Sequence, residues 1–179
     1  PELVEDVRRR AMRASYVQED DAGHACLRPD LGPVVIVGGH GRLGRLFGRL
    51  FEGSGYTVRR LGEADWPRAE ALVEGAGLVL VSVPIAVTIE VIRRLPPLPE
   101  GCVLADLTSV KTEPLAAMLA AHPGPVLGLH PMFGPDVPSL ARQVVTWCEG
   151  RRPEESRWLL EQIALWGATV QREGPSEHD

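Results

Sequence analysis

No stretch of this sequence approaches the roughly 20 consecutive apolar residues of a membrane-crossing helix, which argues against a membrane partner. Cysteine is scarce: Cys26, Cys102 and Cys148 are odd in number, far apart and form no C-x-x-C pair. That usage predicts a reducing, cytoplasmic setting, with Cys102 and Cys148 buried in strands. No run of Lys or Arg exceeds Arg8–Arg10, and the net charge is -5, which argues against nucleic acid or an anionic membrane surface as a partner. The five histidines show neither H-x-x-x-H nor H-E-x-x-H, so no metal site is expected. There is no G-x-S-x-G elbow and no cysteine with a suitable partner, which disfavours hydrolases. The opening residues Pro1–Asp6 lack a basic segment and an apolar core, so no signal peptide is expected. They also lack Met, and the chain is expected to begin inside a longer gene product. Internal repeats and low-complexity segments are absent.

What remains is an ordinary globular composition. The chain has 179 residues, 44% hydrophobic and 24% charged, enough for one domain with a core plus an attachment. Its organising stretch is Val34-Val35-Ile36-Val37-Gly38-Gly39-His40-Gly41-Arg42-Leu43-Gly44. An apolar β-branched run stops at glycines, and helix formers follow. Gly39, Gly41 and Gly44 fit G-x-G-x-x-G, which lets the backbone turn sharply, lets a pyrophosphate approach, and packs helix on strand. Amides at the helix start, from His40 through Arg42 and Leu43, then face the anion.

Around this unit the pattern alternates. Residues 1–20 read as a helix, with Leu3, Val7, Ala11 and Ala14 on one stripe; residues 21–32 read as a linker. The alternative is a helix packed on the main domain. Strands are expected at 34–38, 56–61, 78–83, 102–106, 125–129, 143–148 and 168–172. Helices are expected at about 42–53, at 67–75 with Pro67 in the first turn, after Pro84, at 113–121 and at 153–166. Such alternation predicts an α/β domain with a doubly wound, mostly parallel sheet of Rossmann type, preceded by one helix from a neighbouring domain.

In such sheets ligands bind beyond the strands' carboxyl ends. An acid about 20 residues past the glycines would hold the adenosine ribose and favour NAD. Glu63, 19 residues after Gly44, fits loosely, and Asp65 lies two further on. Arg59 and Arg60 stand close by and leave NADP open. His130 follows an apolar strand and is placed for acid–base work, or for a structural bond to loop backbone. Ser109 can donate to His130 or to a substrate oxygen, or cap the next helix; Thr112 fits the cap better. Lys111 either attracts an anion or faces solvent, and the solvent reading is preferred.

Taken together these residues resemble a family. Pro33–Gly39, Val81-Ser82-Val83-Pro84-Ile85, Leu95–Pro99, Asp106-Leu107-Thr108-Ser109-Val110-Lys111, Gly128-Leu129-His130-Pro131-Met132-Phe133-Gly134-Pro135-Asp136 and Glu177–Asp179 resemble the prephenate dehydrogenases of tyrosine biosynthesis, in the bacterial form with chorismate mutase fused in front. The resemblance spans essentially the whole chain. It implies oxidative decarboxylation of prephenate to 4-hydroxyphenylpyruvate with transfer of hydride to NAD or NADP. It makes His130 the catalytic histidine and Ser109 the residue orienting it. It places Ser82, Val83 and Pro84 at the nicotinamide end, with Thr108 among the cofactor contacts. Three departures accompany it. The family's ribose acid aligns with Gly62. The C-terminal helical domain, which dimerises and supplies an arginine to substrate, would begin where this chain stops. Residues 1–20 resemble only the last mutase helix, so no mutase activity is expected. The chain is then the cofactor domain (33–179) of such a dehydrogenase, or a nucleotide-binding module without turnover, or part of an arogenate-preferring relative.

Overall fold

The computed structural model describes residues 18–19 and 25–177. Two short strands, β1 (Gln18–Glu19) and β2 (Ala25–Cys26), pair antiparallel. The body then alternates: β3 (Val34–Val37), α1 (Arg42–Gly53), β4 (Val58–Leu61), a 3-10 turn (Glu63–Arg68), α2 (Ala69–Val73), β5 (Leu78–Val81), α3 (Ile85–Arg94), β6 (Val103–Asp106), α4 (Thr112–Ala121), β7 (Val126–Pro131), β8 (Val144–Arg151), α5 (Pro153–Leu165) and β9 (Thr169–Arg172). The large sheet has seven strands in the order β4-β3-β5-β6-β7-β8-β9. Every pairing is parallel except β7 with β8. This is the expected doubly wound, mostly parallel Rossmann-type sheet. Among the described residues, no helix is long and apolar enough to cross a membrane.

Strands covered on both faces must be apolar throughout, and β3, β5 and β6 are wholly buried. Their alternate residues feed two cores. Val34, Ile36, Leu78 and Leu80 meet α1 and α5 on one face. Val35, Val37, Val79 and Val81 meet α2, α3 and α4 on the other. Helix α1 ends where Gly55 takes φ 102, and Tyr56 N–H reaches back to Phe51 O at 3.0 Å. That is a glycine-dependent helix stop. Beyond it, Phe51 meets Trp166 edge-on at 4.9 Å and Tyr56 at 5.4 Å. The Trp166 indole N–H donates to Ser54 Oγ at 2.8 Å, locking α1 to the end of α5.

Two local expectations change. The helix expected from Pro67 begins earlier, as a 3-10 turn containing Pro67, because Asp65 Oδ2 accepts the Gly62 N–H at 2.8 Å and closes the turn there. The helix expected over 1–20 lies outside the described residues except at Gln18–Glu19, which are strand. Within the turn-rich stretch 21–32, residues 25–28 are tied to the body. Gln162 of α5 is fully buried. Its Nε2 donates to Ala25 O at 2.8 Å, and its Oε1 accepts the Leu27 N–H at 3.1 Å and the Tyr56 hydroxyl at 2.6 Å.

His122 closes α4 in extended conformation and is 1% exposed. Its Nε2 lies 2.6 Å from Cys102 O, and its Nδ1 is buried without a partner among the described residues. Burial, against the Cys102 bond, holds its pKa below the usual imidazole value, with Arg151 adding to the effect. The unfolded chain therefore binds this proton at higher pH than the fold does. The stability present above about pH 6.5 should decline as pH falls below it. The melting temperature should drop from pH 7 to pH 5, and His122→Gln should flatten that drop. A slope unchanged by the substitution would refute the assignment.

Candidate active site

The glycine turn is set by close approaches. Gly38 has φ 85, and a Cβ there would lie 2.0 Å from Ser82 O, at the end of β5. No other residue fits that position without strain. A Cβ on Gly44 would lie 2.4 Å from Gly38 O, so this glycine lets α1 sit directly on the turn. A Cβ on Gly39 would strike Arg60 Cγ at 2.7 Å. Gly41 differs, since a Cβ there would meet only Gly38 O, at 3.3 Å, leaving the outer side of the turn open. The positive φ thus falls at Gly38, one residue before the motif spacing. The Gly38-Gly39 doublet was the available signal.

Beside the turn lies a cleft of about 260 Å³, whose walls include Gly38, His40, Gly41, Gly62, Glu63, Trp66, Ser82, Val83 and Pro84. Leu43 packs partly buried against the core beneath. Arg42 is exposed and pairs with Asp136, joining the α1 start to the loop after β7. Thr108, placed by resemblance among the cofactor contacts, is buried. Its hydroxyl is 3.5 Å from Thr88 Oγ1, which in turn donates to Pro84 O at 3.0 Å. Thr108 therefore braces the Ser82–Pro84 segment from behind.

At the end of β4 the absent acid has a local explanation. A Cβ on Gly62 would lie 2.7 Å from His40 Cδ2, because the imidazole lies over that glycine. Asp65 does not line the cleft. Its carboxylate accepts from Gly62 N–H and from Arg68 at 2.5 Å, and lies 3.9 Å from His40 Nε2. The Gly62 bond first, then Arg68, holds its pKa below the ordinary carboxylate range. Glu63 is the carboxylate on the cleft wall. Both nearby arginines are engaged elsewhere. Arg59 donates to Leu72 O and Glu74 O, each at 3.1 Å. Arg60 pairs with Glu52 at 2.5 Å along α1.

The loop between β6 and α4 brings the largest correction. Lys111, expected at the surface, is fully buried. Its Nζ donates to both Asp106 oxygens at 2.6 Å. Asp106 also accepts the Thr108 N–H at 3.3 Å and the Leu129 N–H at 3.4 Å. Burial raises the Asp106 pKa, and the Lys111 ammonium pulls it back. One buried ion pair thus binds the Ser109 loop to β7 just before His130. Thr112, expected as the cap of α4, is its first helical residue, and Lys111 takes the cap position.

Ser109 and His130 are both half-buried, beyond the paired positions Asp106 and Gly128 of neighbouring strands. His130 lies within β7 rather than after it. It pairs with Thr146 of β8, whose hydroxyl donates to His130 O at 3.4 Å. Its backbone is therefore held by sheet. Asp106, Lys111 and Gly38 are the structural residues at this edge that sequence reasoning did not place.

A doubly wound sheet with a glycine turn at a helix start, and a cleft at the same strand ends, defines a Rossmann-type nucleotide-binding domain. Residues 57–166 match the family described as prephenate dehydrogenase, nucleotide-binding domain, and the chain belongs to that family. It is 61% identical over 179 residues to the T-protein of Enterobacter agglomerans, covering 100% of this chain and 48% of that protein. To the T-protein of Haemophilus influenzae it is 53% identical, covering 99% and 48%. The chain thus spans about half the length of the curated relatives it matches. The fold is also that of the A. aeolicus prephenate dehydrogenase crystallised with hydroxyphenyl propionate and NAD+, with a TM-score of 0.71 at 18% identity, covering 83% of this chain and 62% of that one.

Proposed function

We propose that this chain is the NAD-binding half of a prephenate dehydrogenase. In a polypeptide as long as its T-protein relatives, it would oxidatively decarboxylate prephenate to 4-hydroxyphenylpyruvate, in tyrosine biosynthesis in the cytoplasm. The open outer side of Gly41, beside the cleft, supports this reading most directly. The amides from His40 to Leu43 and the start of α1 suit a pyrophosphate. Glu63 suits the ribose hydroxyls, and Ser82, Val83 and Pro84 suit the nicotinamide end. NAD is preferred over NADP because the cleft carries Glu63 while Arg59 and Arg60 are committed elsewhere. Bound there, NAD would accept the hydride from C4 of prephenate.

The chain's own part is to handle a proton. His130 takes the C4 hydroxyl proton, which grows more acidic as carbonyl character develops at C4. Ser109 orients that imidazole and touches the same hydroxyl. The ring carboxylate leaves as carbon dioxide, and aromatisation drives its loss. The remaining length of the relatives would supply a C-terminal helical domain for dimerisation, and residues 1–20 would close a chorismate-mutase-like domain in front.

Gly41→Val tests the cofactor half. A Cβ there has one close neighbour, Gly38 O at 3.3 Å, which must give by a few tenths of an ångström, and the branched side chain fills the space a pyrophosphate needs. Calorimetry should show NAD binding to the unsubstituted chain and at least roughly tenfold weaker binding to the variant. Equal affinities would overturn the cradle. A second reading rests on the chain's length relative to its relatives: alone, it binds NAD without turnover. Steady reduction of NAD with prephenate by this chain alone would exclude that reading.

A further inference from the structure

Trp66 stands between two hollows. On one side it lines the cleft with Gly62, Glu63, Val83, Val87 and Val91. On the other it lines a separate hollow with Pro67 and Arg94. The Arg94 guanidinium lies over the indole, 4.4 Å from the ring centroid. Arg94 does not line the cleft, while Trp66 does, so the cation covers the ring from outside the cleft. Val83, and Val87 and Val91 of α3, line the same cleft. Val87 is 37% exposed, an apolar side chain that lines the cleft. An aromatic side chain and three valines in one cleft, beside the strand end where a ribose would lie, suit a flat heteroaromatic ring.

We infer that Trp66 is the platform on which the adenine ring of the nucleotide stacks, with Arg94 fixing the indole from behind. This rests on the nucleotide-binding reading above and adds a recognition element that the glycine motif does not contain. The slot recognises a planar base by its π face and by apolar contact. The 3-10 turn closed by Asp65 onto Gly62 sets the indole at this height above the strand end.

Calorimetric titration with ADP and with NAD, alongside tryptophan emission, tests the assignment. Trp66→Leu should weaken both ligands by roughly tenfold or more, the range that losing one base–aromatic stack produces. Trp66→Phe keeps a ring and should hold ADP affinity within about threefold. It should also abolish the ADP-dependent change in emission, since the remaining tryptophans lie away from the cleft. If Trp66→Leu does not fold, the emission of Trp66→Phe decides, and an ADP-dependent change surviving in that variant overturns the platform. ADP affinity in folded Trp66→Leu within about twofold of the unsubstituted chain overturns it too, leaving the nucleotide reading intact. An unsubstituted chain that binds neither ADP nor NAD would remove the nucleotide reading itself.

Discussion

Replacing Lys111 with methionine should lower the unfolding free energy by about 3–5 kcal/mol. In melting temperature that is a fall of roughly 6–20 °C for a chain of this size. The reason is the carboxylate left behind. Asp106 is fully buried, and its ammonium partner sits 2.6 Å from both oxygens. Methionine refills the volume but leaves Asp106 as an uncompensated charge or forces it to take a proton. Its folded pKa then rises further above its unfolded value. A raised carboxyl contributes most below the unfolded pKa and loses that contribution as pH climbs. The variant's deficit should therefore be smaller at pH 5 than at pH 8. Adding Asp106→Asn should recover part of it, because an amide oxygen can still accept the Thr108 and Leu129 N–H groups without carrying charge. Chemical denaturation of the two variants measures both effects. A loss below about 1 kcal/mol would place the pair in the ordinary surface range and overturn its structural role.

In a polypeptide extended to the length of the T-protein relatives, His130→Asn should reduce turnover by about 10²–10⁴-fold, the usual contribution of a positioned general base. NAD affinity should stay within about twofold, because His130 lies on β7, away from the glycine turn on β3. Asparagine can still hydrogen-bond a hydroxyl but cannot take its proton. Stopped-flow measurement of cofactor reduction separates the chemical step from binding. Unchanged turnover, or a loss confined to NAD affinity, would remove His130 from the proposed chemistry.

The sheet and its ligand edge were legible because β-branched runs such as Val34–Val37 and Leu78–Val81 have few other ways to satisfy their backbone. The helices between them carried their own stops, Gly55 after α1 and Pro96-Pro97 after α3. Lys111 was not legible, since a lone lysine in a polar loop ordinarily faces water. Only the strand register that buries Asp106 opposite Gly128 shows where its charge must go. Gly62 looked like a missing acid. It is instead the residue over which the His40 ring lies, a relation between two loops 22 residues apart that no local pattern carries. Likewise Ala25–Arg28 read as tether from their turn-forming neighbours, and what holds them is Gln162, 137 residues downstream of Ala25.

That anchor has a consequence for anything carried ahead of the paired strands β1 and β2. A domain swinging on a free tether samples a volume that grows with tether length, and its effective concentration near the host falls roughly as the −3/2 power of that length. Here Gln162 and Tyr56 pin residues 25–28 against α5. A tether leading to a preceding domain would be shortened at its host end, with its departure point set on one flank of the domain. A preceding domain would work at high local concentration toward that flank and at low concentration toward the opposite one. In a fused polypeptide, the hand-over of a small product between two sites then depends on direction as well as distance.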